Sequence, residues 1–144
     1  MTETQTPTIL IVDDDEGHAI LIRENLESAG LTNRIEHFSD GESALEYFAR
    51  RPLGQRETYL VLLDIRMPKI DGIEVLRRLK ANPELSKLPV IMLTTTDDVR
   101  EVERCYALGC NVYIQKPVDY DRFAEAIRRL GLFVSLVLLP ELSS

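Results

Sequence analysis

Leu60-Val61-Leu62-Leu63-Asp64-Ile65-Arg66-Met67-Pro68-Lys69-Ile70-Asp71-Gly72 is an apolar run that ends in one carboxylate and then in turn-forming residues. Apolar residues before the acid, with Pro68 and Asp71-Gly72 beyond it, predict a strand buried on both faces that emerges into a loop at its carboxyl end. Asp64 is then an acid at a sheet mouth. Open α/β sheets place their reactive and ligand-binding groups just outside the carboxyl ends of parallel strands, so the question for every other segment is what it brings to Asp64.

The chain has 144 residues, the size of one ordinary domain with a single sizeable core. Charged residues make up 28% and the apolar set 44%, as in a soluble globular protein rather than a disordered or fibrous one. The formal net charge of -7, with basic residues scattered or paired with acids, argues against a nucleic-acid surface and favours a cation or a basic partner. Cys105 and Cys110 have neither the spacing nor the histidine partners of a zinc or redox motif and read as reduced structural thiols. The polar start, Met1 to Pro7, has no apolar core of a signal peptide. A cytoplasmic protein that neither enters a membrane nor binds nucleic acid is expected.

Thr8 to Val12 is a β-branched apolar run stopping at Asp13-Asp14-Asp15-Glu16, which predicts a buried strand feeding an acidic loop. Leu21, Ile22, Leu26 and Ala29 recur at helical spacing up to Gly30, predicting a helix over 16–29. Arg34 to Phe38 reads as a more polar strand near a sheet edge, and Ala44, Leu45 and Phe48 as a helix ending around Arg50. Arg51 to Thr58 reads as a loop before the strand that leads to Asp64. Ile73, Val75, Leu76 and Leu79 mark a third helix. Pro89 to Leu93 is a fourth strand ending in Thr94-Thr95-Thr96, and Asp97 or Thr96 is the expected cap of a helix carrying Val99, Val102, Tyr106 and Ala107. Asn111 to Gln115 is a fifth strand ending at Lys116-Pro117, and 119–130 a fifth helix. Strict strand–helix alternation requires crossover connections and hence a parallel sheet. The expected fold is an α/β, flavodoxin-like open sheet of five parallel strands in the order 2-1-3-4-5, with helices on both faces.

In that order the first and third strands are neighbours, which brings Asp14 and Asp64 face to face, with Asp13, Thr94 and Lys116 on the same edge. Carboxylates so close repel unless a cation intervenes, and hard oxygen ligands leaving room for water and phosphate oxygens suit Mg²⁺ better than Ca²⁺. A Mg²⁺ with Asp64, a lysine and a hydroxyl is a coherent phosphoryl-transfer set, in which either Asp64 or water is the acceptor. An acidic helix start is the simpler reading of Asp13 to Glu16 taken alone. His18 and His37, lone histidines, read as surface or satisfied side chains.

Ile11-Val12-Asp13-Asp14, Leu63-Asp64 with Met67-Pro68 and Asp71-Gly72, Leu93-Thr94, and Tyr113 with Lys116-Pro117 together resemble the receiver domain of two-component response regulators over about residues 8–130. The resemblance implies that Asp64 accepts a phosphoryl group from a histidine kinase. It implies Mg²⁺ held by Asp14, Asp64 and the backbone carbonyl of Arg66, with Asp13 acting through a water. Lys116 would contact the phosphoryl group, with a cis bond to Pro117. Thr94 and Tyr113 would form a switch pair. Thr95 departs from the small residue many receivers carry there and would crowd the phosphate mouth.

The expected receiver domain spans 1–130. Residues 131–144 form an apolar C-terminal arm, too short to cross a bilayer and too short for a separate output domain. The β-branched content and the bounding Pro140 predict an extended arm, either folded back on its own domain or exchanged with a second copy through Phe133, Val134, Leu136, Val137 and Leu138. The Leu-Pro-Glu ending is similar to that of single-domain regulators paired with bacterial phytochromes. That resemblance implies a bacterial phytochrome as the kinase and a homodimer built on the fourth helix, fifth strand, fifth helix and arm. A Mg²⁺-dependent phosphohydrolase and an unphosphorylated scaffold are the alternatives from other functional classes.

Overall fold

A computed structural model of the chain describes residues 7–51, 57–135 and, as backbone, 141–142. Five strands, β1 (Thr8–Val12), β2 (Ile35–Phe38), β3 (Glu57–Leu63), β4 (Val90–Thr94) and β5 (Val112–Gln115), alternate with helices α1 (Glu16–Ser28), α2 (Gly41–Ala49), α3 (Gly72–Ala81), α4 (Val99–Leu108) and α5 (Tyr120–Val134). They pair in parallel in the order β2-β1-β3-β4-β5, as expected from the alternation.

Strand side chains alternate between two cores, which explains why these strands read as continuous apolar runs. Leu10, Val12, Val61, Leu63, Val90 and Met92 face α2, α3 and α4. Ile9, Ile11, Leu60, Leu62, Ile91 and Leu93 face α1 and α5. Leu76 of α3 is fully buried, and truncating such a side chain costs ~2–5 kcal/mol.

Aspartates start the helices: Asp15, Asp40, Asp71, Asp98 and Asp119 each accept a backbone N–H of the helix that follows. The cap of α4 is Asp98, not the expected Asp97 or Thr96. Each cap also fixes the loop that leaves a strand at the carboxyl edge, so the capping pattern shapes the site.

Two expectations are corrected. Gly131 does not end α5, which runs on to Val134. A Cβ there would lie 2.9 Å from the Ala29 Cβ, so this glycine permits α5 to press against the end of α1 rather than breaking the helix. An extended arm therefore does not begin at 131, and Val134, only 5% exposed, is packed into the domain's own core instead of being left for a partner. Leu136, Val137 and Leu138 lie outside the described residues. Further on, β6 (Glu141–Leu142) pairs antiparallel with Thr58 and Glu57 of β3. This pairing also explains why β3 starts at Glu57 inside the expected loop, since β1 takes up pairing only from Tyr59.

Candidate functional site

The carboxyl edge gathers the predicted residues. The Asp64 N–H is bonded to the Val12 carbonyl at 2.9 Å, which ties the end of β3 to that of β1. The Lys116 N–H is bonded to the Thr94 carbonyl at 2.6 Å and ties β5 to β4. The loop after Asp64 closes through the Gly72 N–H on the Ile65 carbonyl at 2.8 Å, with Lys69 left-handed at φ 69°. Gly72 is obligatory at this crossing: a Cβ would lie 2.0 Å from the Asp64 carbonyl oxygen.

Carboxylate oxygens of Asp13, Asp14 and Asp64 lie within 4.8 Å of one another, Asp13 and Asp64 buried and Asp14 exposed. Asp64 Oδ1 accepts the Ile65 N–H at 2.8 Å, which leaves Oδ2 directed at Lys116 Nζ, 3.4 Å away. Lys116 is buried and lies closer to Asp13 Oδ2, at 2.6 Å. Burial raises the Asp13 carboxyl above its ordinary range, and the Lys116 ammonium opposes that rise. Three hard oxygen donors that repel one another, one of them open to solvent, are the donor chemistry of a small divalent cation with water in its shell. The Thr94 hydroxyl is wholly buried and has no hydrogen-bond partner.

Arg66 lies in the loop with its guanidinium on Glu101 of α4 at 2.7 Å. Tyr113 is half-buried; its hydroxyl donates to the Thr96 carbonyl at 2.8 Å, and burial pushes its pKa up to about 12. Thr95 faces solvent. The described peptide bonds are all trans, Lys116–Pro117 included, which corrects the implied cis bond and is the usual X-Pro state. His37 is a satisfied side chain, its Nε2 donating to the Asp13 carbonyl at 2.8 Å. His18 is not the bystander it reads as in the sequence: its Nδ1 lies 3.0 Å from Lys116 Nζ. The available signal was its place in the first turn of α1, behind the acidic loop.

The family model for the response regulator receiver domain matches residues 9–128. The chain belongs to that family. Response regulator Rcp1 of Synechocystis is 33% identical over 97% of this chain and 99% of that protein. A receiver domain from Rhodospirillum rubrum superposes with a TM-score of 0.89 at 49% identity, covering 95% of this chain and 99% of that one. The phosphorylated cyanobacterial phytochrome response regulator RcpA superposes at 0.85 with 28% identity over 94% and 99%. The Mn²⁺-bound form of Rcp1 superposes at 0.83 with 28% identity over 93% and 99%. As a receiver the chain is a phosphoacceptor response regulator, a signalling domain served by histidine kinases. No helix among the described residues is long and apolar enough to cross a membrane.

Proposed function

We propose that Asp64 is the phosphoacceptor. Its Oδ2 forms the bond to phosphorus as the phosphorus–nitrogen bond of a kinase phosphohistidine breaks and the electron pair leaves on the imidazole. Asp14, Asp64 and the Arg66 carbonyl would hold Mg²⁺, with Asp13 acting through a water; the cation supplies charge neutralisation between the carboxylates and the incoming phosphoryl oxygens. Lys116 donates to one phosphoryl oxygen and Thr94 to another. The observation that carries the reading is the orphaned Thr94 hydroxyl at the same sheet edge, a buried donor to which a phosphoryl group on Asp64 would offer an acceptor. Tyr113 follows as the switch partner, its ring turning inward behind Thr94 as the hydroxyl moves onto the phosphoryl oxygens.

The activity is self-phosphorylation and autodephosphorylation at Asp64, not turnover of an external substrate. A bacterial phytochrome is the proposed kinase, on the strength of the likeness to RcpA and Rcp1, and the cytoplasm the proposed location. Pairing as a homodimer through α4, β5 and α5 has support in Val99, Tyr106, Val112 and Tyr120, exposed apolar or aromatic side chains of or beside these elements at the β5 edge of the sheet, and in Phe133. From the arm, Leu136, Val137 and Leu138 are proposed to join this interface.

Intact mass after incubation with acetyl phosphate tests the site. A gain of one phosphoryl group that needs Mg²⁺ and is absent in Asp64→Asn is expected. No gain would indicate a scaffold, and free phosphate released over many turnovers a phosphohydrolase.

A further inference from the structure

Lys116 Nζ has three protons to donate, and three acceptors surround it: Asp13 Oδ2 at 2.6 Å, His18 Nδ1 at 3.0 Å and Asp64 Oδ2 at 3.4 Å. An ammonium has no lone pair, so the imidazole meets it with the lone pair of Nδ1 and carries its ring proton on Nε2. The imidazole stacks on Phe123 of α5 with centroids 5.5 Å apart and planes 27° from parallel. The His18 backbone N–H is bonded to Asp15 Oδ1 at 3.0 Å, which fixes the first turn of α1 that carries the ring. The other charge facing it is Asp15, whose Oδ2 lies 3.6 Å from Nδ1, beyond hydrogen-bond reach.

Resting on the reading of Asp64 as phosphoacceptor, we propose that His18 is a positioning residue for phosphoryl transfer. By accepting one Lys116 proton it draws the ammonium toward α1, and Asp13 takes a second. Only the longest of the three contacts then points at Asp64. That geometry serves the reaction in two ways. The Asp64 Oδ2 lone pair stays available for phosphorus rather than being tied into a close ion pair. The third Lys116 proton already points to where a phosphoryl oxygen arrives. Without the imidazole acceptor the freed N–H turns to Asp64, and the nucleophile is masked.

The test separates the acceptor from the ring. His18→Phe keeps an aromatic ring on Phe123 but offers no acceptor; His18→Asn sets an amide oxygen close to the Nδ1 position without the ring. Phosphorylation rates of the full chain with acetyl phosphate and Mg²⁺ are followed by intact mass, with melting temperatures recorded alongside. His18→Phe is expected to slow phosphorylation about fivefold while staying folded, and His18→Asn to restore the rate to within about twofold of the parent. If His18→Phe does not fold, His18→Met, also without a comparable acceptor, is held to the same expectation. A parent-like rate in the acceptor-free variant, or an Asn variant equally slow, would overturn the proposal. A parent protein that gains no phosphoryl mass would instead overturn the Asp64 reading, and this inference with it.

Discussion

Thr94 Oγ1 is buried without a partner, so the unphosphorylated domain carries the desolvation cost of one hydroxyl. Replacing it with a methyl removes that cost, and Thr94→Val is expected to raise stability by roughly 1 kcal/mol in chemical denaturation. The same substitution removes the donor proposed to meet the phosphoryl group, so phosphorylated Thr94→Val should fail to draw in Tyr113, read from the ring resonances of Tyr113 by NMR. A variant that is less stable than the parent would show that the hydroxyl already has a partner in solution. At this scale the sequence was informative where chemistry is local: an acid ending an apolar strand has few explanations, and Asp64, Asp13, Asp14, Thr94 and Lys116 are brought to one edge. His18 was not legible, because its role depends on Lys116, distant in the chain, and on stacking against Phe123.

Elements were legible where one residue pattern had one physical cause. β1, β3 and β4 read as buried runs because both faces of the sheet are covered, and α3 because Ile73, Val75, Leu76 and Leu79 all face inward. The last turn of α5 was missed because the apolar run after Leu130 reads equally as an extended arm, and only the position of α1 shows Gly131 as a point of close helix approach. The start of β3 was missed because its partner, β6, is recruited from the far end of the chain. In α4, Val99 and Tyr106 marked the helix in the sequence, yet both are exposed and Cys105 is the buried residue of that helix. On α3, Glu74 accepts from Arg77 and Arg78, which holds its carboxyl down to about 2. A depressed acid contributes stability that is present above its unfolded pKa, here near the ordinary 4.5, and is lost as pH falls through about 2. The stability difference between the parent and Glu74→Gln should therefore shrink across that window, and shrink further in high salt because the pair is exposed. A difference independent of pH in denaturant titrations would assign Glu74 a purely steric role.

At the scale of the whole molecule, the question is what reads the phosphorylated state. β6 is paired within its own chain, and among the described residues α4, β5 and α5 expose Val99, Tyr106, Val112 and Tyr120. A stable dimer needs about 800 Å² from each partner. Light scattering across a concentration series should find the full chain dimeric, a chain stopped after Ser135 still dimeric, and Val112→Asp monomeric. The stop belongs after Ser135, because α5 runs to Val134. A monomeric truncation beside a dimeric full chain would move the interface to the arm. Everything downstream depends on where the phosphoryl group goes. Borohydride reduction of the phosphorylated protein converts an acyl-phosphorylated aspartate to homoserine, which peptide mass spectrometry locates. Homoserine at position 64 alone is the predicted result; homoserine at Asp13 or Asp14, or at neither these nor Asp64, would contradict the account.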